Sequence, residues 1–297
     1  MKSVTVPIDL SAASGNALRF AWKIAAQVGA DIEVMHAMDS IFEGQYPSAS
    51  GFLSSYKKTM LQELNDFVQS TLQTLGVIWE PPEKTPGAPG EYALKNKGPR
   101  LRARVTYGFP DKSIEEHSVG TDLVVMATTG RGAVAEKFFG SVAIEVSKNA
   151  HCPVLFVPHG AEFGDFKNIL YASNFESLVS RRIQEAVDFA HHFDSQIHFA
   201  HVGSAGEDGL DIEQKLREID YSEVRSDKPF VFAKMVDNDD VTGALLEYAL
   251  YHRVELLIFV THQRSFWEAL LHRSITRKAL ITGSLPMLVM HSDDGAG

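Results

Sequence analysis

The sequence predicts an α/β protein built from two doubly wound, five-stranded parallel-sheet domains, the second an internal duplicate of the first. Three observations carry this. Four apolar segments recur in order along the chain, and two pairs of them recur at equal spacing. The recurring runs are short and nearly all apolar, which marks strands buried on both faces of a parallel sheet. Between them lie stretches with apolar residues at helical spacing, so strands and helices alternate.

The recurrences can be followed residue by residue. Val4-Thr5-Val6-Pro7-Ile8-Asp9 returns as Ile169-Leu170-Tyr171-Ala172-Ser173-Asn174, and Ile32-Glu33-Val34-Met35-His36 returns as Ile197-His198-Phe199-Ala200-His201. Asp9 to His36 is 27 residues, as is Asn174 to His201. Asp122-Leu123-Val124-Val125-Met126 returns as Glu255-Leu256-Leu257-Ile258-Phe259, and Pro153-Val154-Leu155-Phe156-Val157 as Pro286-Met287-Leu288-Val289-Met290. Asp122 to Pro153 and Glu255 to Pro286 both span 31 residues. Matched segments at matched spacings are the signature of a duplicated unit. The central interval is 113 residues in the first half and 81 in the second, and most of the surplus lies between His36 and Leu101, where the proline-rich Glu80 to Gly90 stretch reads as a loop. The domains expected are 1–159 and 160–297.

Within the first half, Ala17, Phe20, Ala21, Ile24 and Ala25 set out the first helix, and Ile183, Ala186, Val187 and Ala190 set out its counterpart in the second. A second helix is expected from about Phe52 to Leu75, with Gly76 as its stop. A third strand, Leu101 to Tyr107, carries Arg102 and Arg104 and follows Lys95, Lys97 and Arg100. Such a basic run suits either a nucleic-acid patch or an edge strand guarded against pairing with other chains, and the edge strand is the preferred reading.

A chain of 297 residues exceeds what one core usually organises, and 44% hydrophobic with 22% charged residues excludes long disorder and fibrous classes. Cys152 is the only cysteine, so no intrachain disulfide can form and a cytoplasmic location is expected. The apolar stretch between Lys2 and Asp9 is too short for a signal-peptide core, and no run approaches a membrane span. The net charge of −10 divides as −1 before Gly160 and −9 after it, so the second half repels nucleic acid and anionic lipid. No nucleic-acid or membrane partner is expected.

In an open parallel sheet, ligands bind beyond the carboxyl ends of the strands where the strand order reverses. That directs attention to Pro7-Ile8-Asp9 after strand one and to Ala127-Thr128-Thr129-Gly130-Arg131-Gly132 after strand four. Nine residues separate Gly130 from Gly140-Ser141, which opens an apolar helix through Val142. Glycines allow close approach to backbone N–H groups, and a helix N-terminus adds unpaired donors and partial positive charge, so the segment can cradle a phosphate. Ser141 can donate its hydroxyl and Arg131 a charge-assisted contact. Asp9 can accept from a ribose or a base. Taken singly, Ser141 also reads as a helix N-cap and Asp9 as a cap of the first helix.

With these residues in view the sequence resembles the universal stress protein family over nearly its whole length. The features are Val6-Pro7-Ile8-Asp9, the Met126 to Gly130 turn, Gly140-Ser141 at the family's distance, and Ala150 to Val157. The resemblance implies a nucleotide-binding α-hydrolase-like fold and phosphate contacts from Gly130, Gly140, Ser141 and Val142, with Asp9 and the backbone at Ala37 near the nucleoside. It implies ATP as ligand, with magnesium or manganese arriving alongside it. Ala127 stands where the family motif has its first glycine. In the second half Val260, Gln263 and Arg273 replace the three glycines, Ser274 is kept, and Asn174 replaces Asp9, so that half reads as degenerate for ATP. Arg264 and Arg273 could still hold another anion there, or pair structurally. The resemblance also implies that the last strands of the two halves pair, one chain mimicking a dimer, and it leaves a homodimer open.

Three functions stand against one another: a stress-response protein that senses ATP without fast chemistry, a slow ATPase, and a structural or interaction protein that binds no nucleotide. No Ser-His-Asp or Cys-His arrangement can be placed, and Cys152 reads as packing. Neighbouring His191 and His192 point about 100° apart on a helix, which suits shared ligation poorly, and no metal site is expected apart from the ion of the nucleotide.

Overall fold

The computed structural model describes residues 1–38, 50–81, 98–130, 139–172, 180–203, 228–236, 241–261 and 285–291. The chain divides into two compact units, Met1–His159 and Gly160–Gly297.

The first unit runs β1 (Ser3–Pro7), α1 (Ala12–Val28), β2 (Asp31–Met38), α2 (Ser50–Gln73), β3 (Leu101–Tyr107), α3 (Pro110–Ser118), β4 (Leu123–Ala127), α4 (Ser141–Asn149) and β5 (Val154–Val157). Its strands are parallel in the order β3-β2-β1-β4-β5, so the order reverses between β1 and β4. This is the doubly wound fold the alternating pattern predicts. The expected face of α1 is the buried one: Ala17, Phe20, Ala21, Ile24 and Ala25 are all within 1% of full burial. Ser11 caps α1 through a reciprocal pair of bonds with Ser14, and Gly29 ends it at φ 74 in the left-handed region open to glycine. Gly76 follows α2 at φ 71, as expected of a stop.

The second unit runs β6 (Asn168–Ala172), α5 (Ser180–His191), β7 (Gln196–Gly203), β8 (Val231–Val236), α6 (Val241–Tyr251), β9 (Leu256–Thr261) and β10 (Met287–His291). Its parallel strands follow β10-β9-β6-β7-β8, the same topology as the first unit. The duplication reaches individual hydrogen bonds. Asp122 accepts from the backbone N–H of Lys2, and Glu255, its repeat partner, accepts from that of Lys167. Asp31 N donates to Lys2 O at 2.8 Å and Gln196 N to Lys167 O at 2.7 Å. Val124 N donates to Pro153 O and Leu257 N to Pro286 O, both at 3.0 Å.

The Asp122 clamp ties the start of β1 to the start of β4 through Lys2 N at 2.6 Å, Ser3 N at 3.0 Å and Ser3 Oγ at 3.2 Å. Burial works to raise its pKa, but these donors outweigh it and hold the carboxyl below its ordinary value. A carboxyl with a depressed folded pKa gives stability that is present above the unfolded pKa and is lost as pH falls through the folded one. Because the group is exposed, Asp122→Ala is expected to cost about 1 kcal/mol at neutral pH. Urea unfolding should show that difference shrinking below about pH 4, and a pH-independent cost would contradict the clamp.

One expectation is corrected. The strands are not all buried on both faces, because β3 alternates. Leu101 and Val105 are buried under the α2 side, while Arg102 and Arg104 are exposed. As expected from its arginines, β3 lies at the edge of the unit. Arg100 and Arg104 pair with Asp31 and Glu33 of the neighbouring strand at 2.6 and 2.8 Å.

Candidate functional site

A cavity of about 460 Å³ opens at the carboxyl ends of β1, β2 and β4, at the reversal of strand order. Its size falls in the range of small-molecule sites. Of the residues the sequence singled out, Pro7, Asp9, Ala37, Ala127, Gly130, Gly140, Ser141 and Val142 all line it. Arg131 lies outside the described residues, as do Asn174, Gln263, Arg264, Arg273 and Ser274 of the second unit.

Each wall has a local cause. Ile8 N donates to Met35 O at 2.8 Å, extending the β1–β2 ladder past Pro7. His36 Nδ1 lies 2.7 Å from the Ile8 carbonyl, which can only accept, so the ring joins the two strand ends. Leu10 then turns at φ 63, a conformation uncommon for a residue with a branched side chain, and this brings Ser11 back to Asp9. Asp9 Oδ1 accepts from Ser11 N at 3.0 Å and from Ser11 Oγ at 2.6 Å. Asp9 is therefore not the cap of α1; Ser11 is, and Asp9 fixes the capping hydroxyl.

The opposite wall is a backbone strap. Thr128 N donates to Val157 O at 3.2 Å, and Gly140 N donates to Thr128 O at 2.8 Å. Phe139, 3% exposed and edge-on to Phe156 with ring centres 5.1 Å apart, anchors the residue before the strap. Gly140 is itself the N-cap of α4, with φ −73 and ψ 161, and no side chain caps the helix. The reading of Ser141 as N-cap is thereby corrected: Ser141 is the first helical residue and is exposed at the cavity rim. The first intrahelical bond of α4 runs from Ile144 N to Gly140 O at 3.1 Å, so the N–H groups of Ser141, Val142 and Ala143 have no helical acceptor.

The two glycines have different explanations. A Cβ on Gly130 would stand 2.6 Å from Asp9 Oδ2, so a side chain there displaces the Asp9 carboxylate. A Cβ on Gly140 would meet its nearest atom, Thr128 O, at an ordinary 3.7 Å, and the backbone angles suit any residue. Nothing within the described chain demands glycine at 140. Its absent side chain leaves the approach to the α4 donors open.

The remaining wall is apolar, with Ile8, Met35, Met126, Pro110 and Ile114. Sequence reasoning missed Pro110 and Ile114. The signal that could have found them is Gly108-Phe109-Pro110, a turn and helix start at the same sheet edge as the other loops. Ala127, at the end of β4, is part of the wall, and the cavity stands with its methyl group in place. Cys152 is buried, and burial pushes its thiol up to about 12, so it stays protonated at neutral pH. Among the described residues, no three His, Cys, Asp or Glu side chains group as a metal site, and no helix is long and apolar enough to cross a membrane.

Fold and cavity define a duplicated α/β protein with an open helix N-terminus at the switch point of its first sheet. Residues 1–158 match the Universal stress protein family, and the chain belongs to that family. A universal stress protein of Methanocaldococcus jannaschii is 29% identical over 159 residues, 52% of this chain and 81% of that protein. Among solved structures, a universal stress protein from Archaeoglobus fulgidus aligns over 98% of this chain and 97% of its own at 16% identity with a TM-score of 0.64. A functionally unknown protein from Pseudomonas aeruginosa aligns over 99% and 94% at 16% identity with a TM-score of 0.58. These two share the fold.

Proposed function

We propose that the first unit binds ATP in the switch-point cavity and that the protein acts in the cytoplasm as a nucleotide-sensing stress protein. The observation that carries the reading is the undemanded glycine at 140 beside three N–H groups without helical acceptors. The phosphates would lie against Gly130, Gly140, Ser141 and Val142, with Arg131 reaching them from its loop. The base would occupy the apolar slot between Met35, Met126 and Ile114, and the backbone at Ala37 and the Asp9 carboxylate would face the nucleoside. Magnesium or manganese would come with the nucleotide.

Binding rather than fast chemistry is favoured, because Asp9 and His36, the titratable groups among the described lining residues, are engaged in holding strand ends and the α1 cap. Ala127 favours a second reading, a structural stress protein without nucleotide, since a methyl replaces hydrogen on the wall facing the ligand. Calorimetric titration of the intact protein with ATP and magnesium separates them. One site per chain with a micromolar Kd, about −8 kcal/mol, is the expected result. The absence of saturable heat at millimolar ATP would leave the structural reading.

A further inference from the structure

In the second unit three polar rings meet between β7 and the end of α6. His198 of β7 is 6% exposed, and its Nδ1 lies 2.9 Å from Tyr248 Oη. His252 N donates to Tyr248 O at 3.0 Å, which closes the last turn of α6 and sets one side chain over the other. The His252 ring lies against the phenol, tilted by 30° with ring centres 4.0 Å apart, and the two imidazoles stand 5.3 Å apart centre to centre. The same helix buries Leu245, Leu246 and Ala249.

The elements around His198 bring no carboxylate to it. Its register neighbours are Leu170 on β6 and Val231 on β8. On and just after α6, Glu247 and Arg253 are exposed. On α5, Arg182 pairs with Glu185, Asp188 accepts from Gln184, and His191 is exposed. Asp194 and Lys228, before β7 and β8, pair with each other at 2.7 Å. Among the described residues, His252 is the one whose charge acts on His198. A proton on His198 therefore places a cation in a buried site beside a second imidazole. The phenol can accept as well as donate, so the hydrogen bond can reverse, and the cost is that of the buried charge. Burial first, and then the His252 charge, holds the His198 pKa below its ordinary 6.5. A histidine lowered in this way gives stability that is full above the unfolded value and is lost as pH falls from about 6.5 toward the folded one.

We propose that His198, Tyr248 and His252 form a proton-operated latch, which holds α6 on β7 at neutral pH and loosens it in mild acid. Histidine clusters at packed junctions act as switches in this way, because charge enters where solvent cannot screen it. The first unit has the opposite arrangement. Glu33, the repeat partner of His198, accepts from Arg104 Nη2 at 3.4 Å and stands 3.9 Å from His117 Nε2 of α3. A proton on His117 meets a carboxylate, so mild acid does not loosen that junction. Acidification thus acts on one unit of the duplicated pair, and the loosened helix uncovers Leu245, Leu246 and Ala249. Burial also lowers the His192 pKa, just past α5, so the measurement has to be local.

Hydrogen exchange on the full chain, corrected for the intrinsic rate at each pH and resolved by segment, tests the latch. Between about pH 7.5 and pH 5.5 the protection of α6 is expected to fall about fivefold, while that of α3 holds. His198→Gln keeps an amide for the Tyr248 hydroxyl and removes the titration, so the fall should disappear. Tyr248→Phe keeps the buried histidine and should retain it. The His198 ring resonance of the wild-type protein gives a reading that needs no variant, and it should stay that of a neutral imidazole well below pH 6.5. Equal α6 protection at the two pH values, an equal fall in α3, the same fall in His198→Gln, or a His198 ring that titrates at its ordinary value would overturn the proposal.

Discussion

Gly140→Arg is expected to lower the ATP affinity of the intact protein at least a hundredfold, roughly 3 kcal/mol, while the protein stays folded. The substitution copies Arg273, the residue at the equivalent position of the second half. Folding should survive because φ at 140 is −73 and the space for a Cβ is bounded at 3.7 Å by Thr128 O and at 3.9 Å by Gly130 N. Binding should not survive, because the side chain would leave the backbone where the Ser141, Val142 and Ala143 donors converge and bring its own cation into the anion position. Calorimetry gives the affinity and thermal unfolding gives the fold. Gly140→Ala is the matched control, with a methyl in place of the charged chain, and it should weaken binding by less. Full binding in Gly140→Arg would move the phosphates away from the α4 terminus and remove the argument that the glycine is kept open for a ligand.

Most of the fold and part of the site could be read from the sequence, for different reasons. Apolar runs at equal spacing report strands directly, and the repeats at Asp9 to His36 and Asp122 to Pro153 place four of the five strands in each unit. The strand ends report the switch point by topology alone, which is why Asp9, Gly130 and Gly140 all reach one cavity. The apolar slot was not legible. Met35, Met126 and Ile114 are 1%, 6% and 2% exposed, and by residue type they are ordinary core; only the third dimension shows that they border a cavity. Nor could a helix-start serine reveal whether it stands at the cap or one residue inside, since both positions suit the same local sequence. The wet face of β3 was half visible. Leu101-Arg102-Ala103-Arg104-Val105 alternates plainly, but whether a helix covers the arginines depends on how far α3 extends, and α3 ends at Ser118.

The clamp at the amino ends of the strands recurs in both units. Asp122 and Glu255 differ by one methylene, yet each receives the backbone N–H at the start of its first strand and fixes the neighbouring strand beside it. This bond sets register at the amino ends of the strands, far from the cavity at their carboxyl ends. Val260, equivalent to Ala127, sits in β9 with its ladder to Met290 intact.

Phe166→Ala is expected to destabilise the second unit by about 3–5 kcal/mol. Phe166 is fully buried just before β6, with ring centres 4.9 Å from Phe163, 5.1 Å from Phe193 and 6.0 Å from Phe189. Truncation removes the transfer energy of the ring, leaves a void, and forfeits the edge-on contact with Phe193, worth about 1 kcal/mol beyond its area. Phe166 also stands at φ 50, in the left-handed region, and its buried ring is what holds that turn against the preference of an L-residue. The turn delivers Lys167 N to Glu255, so loosening the ring should loosen the clamp as well. For a unit of this size the loss corresponds to a fall in Tm of roughly 10 °C or more, read by differential scanning calorimetry. Phe166→Leu refills part of the volume and should recover about half of it. A Phe166→Ala protein that unfolds within a degree of the wild type would show that the four rings do not pack as a cluster.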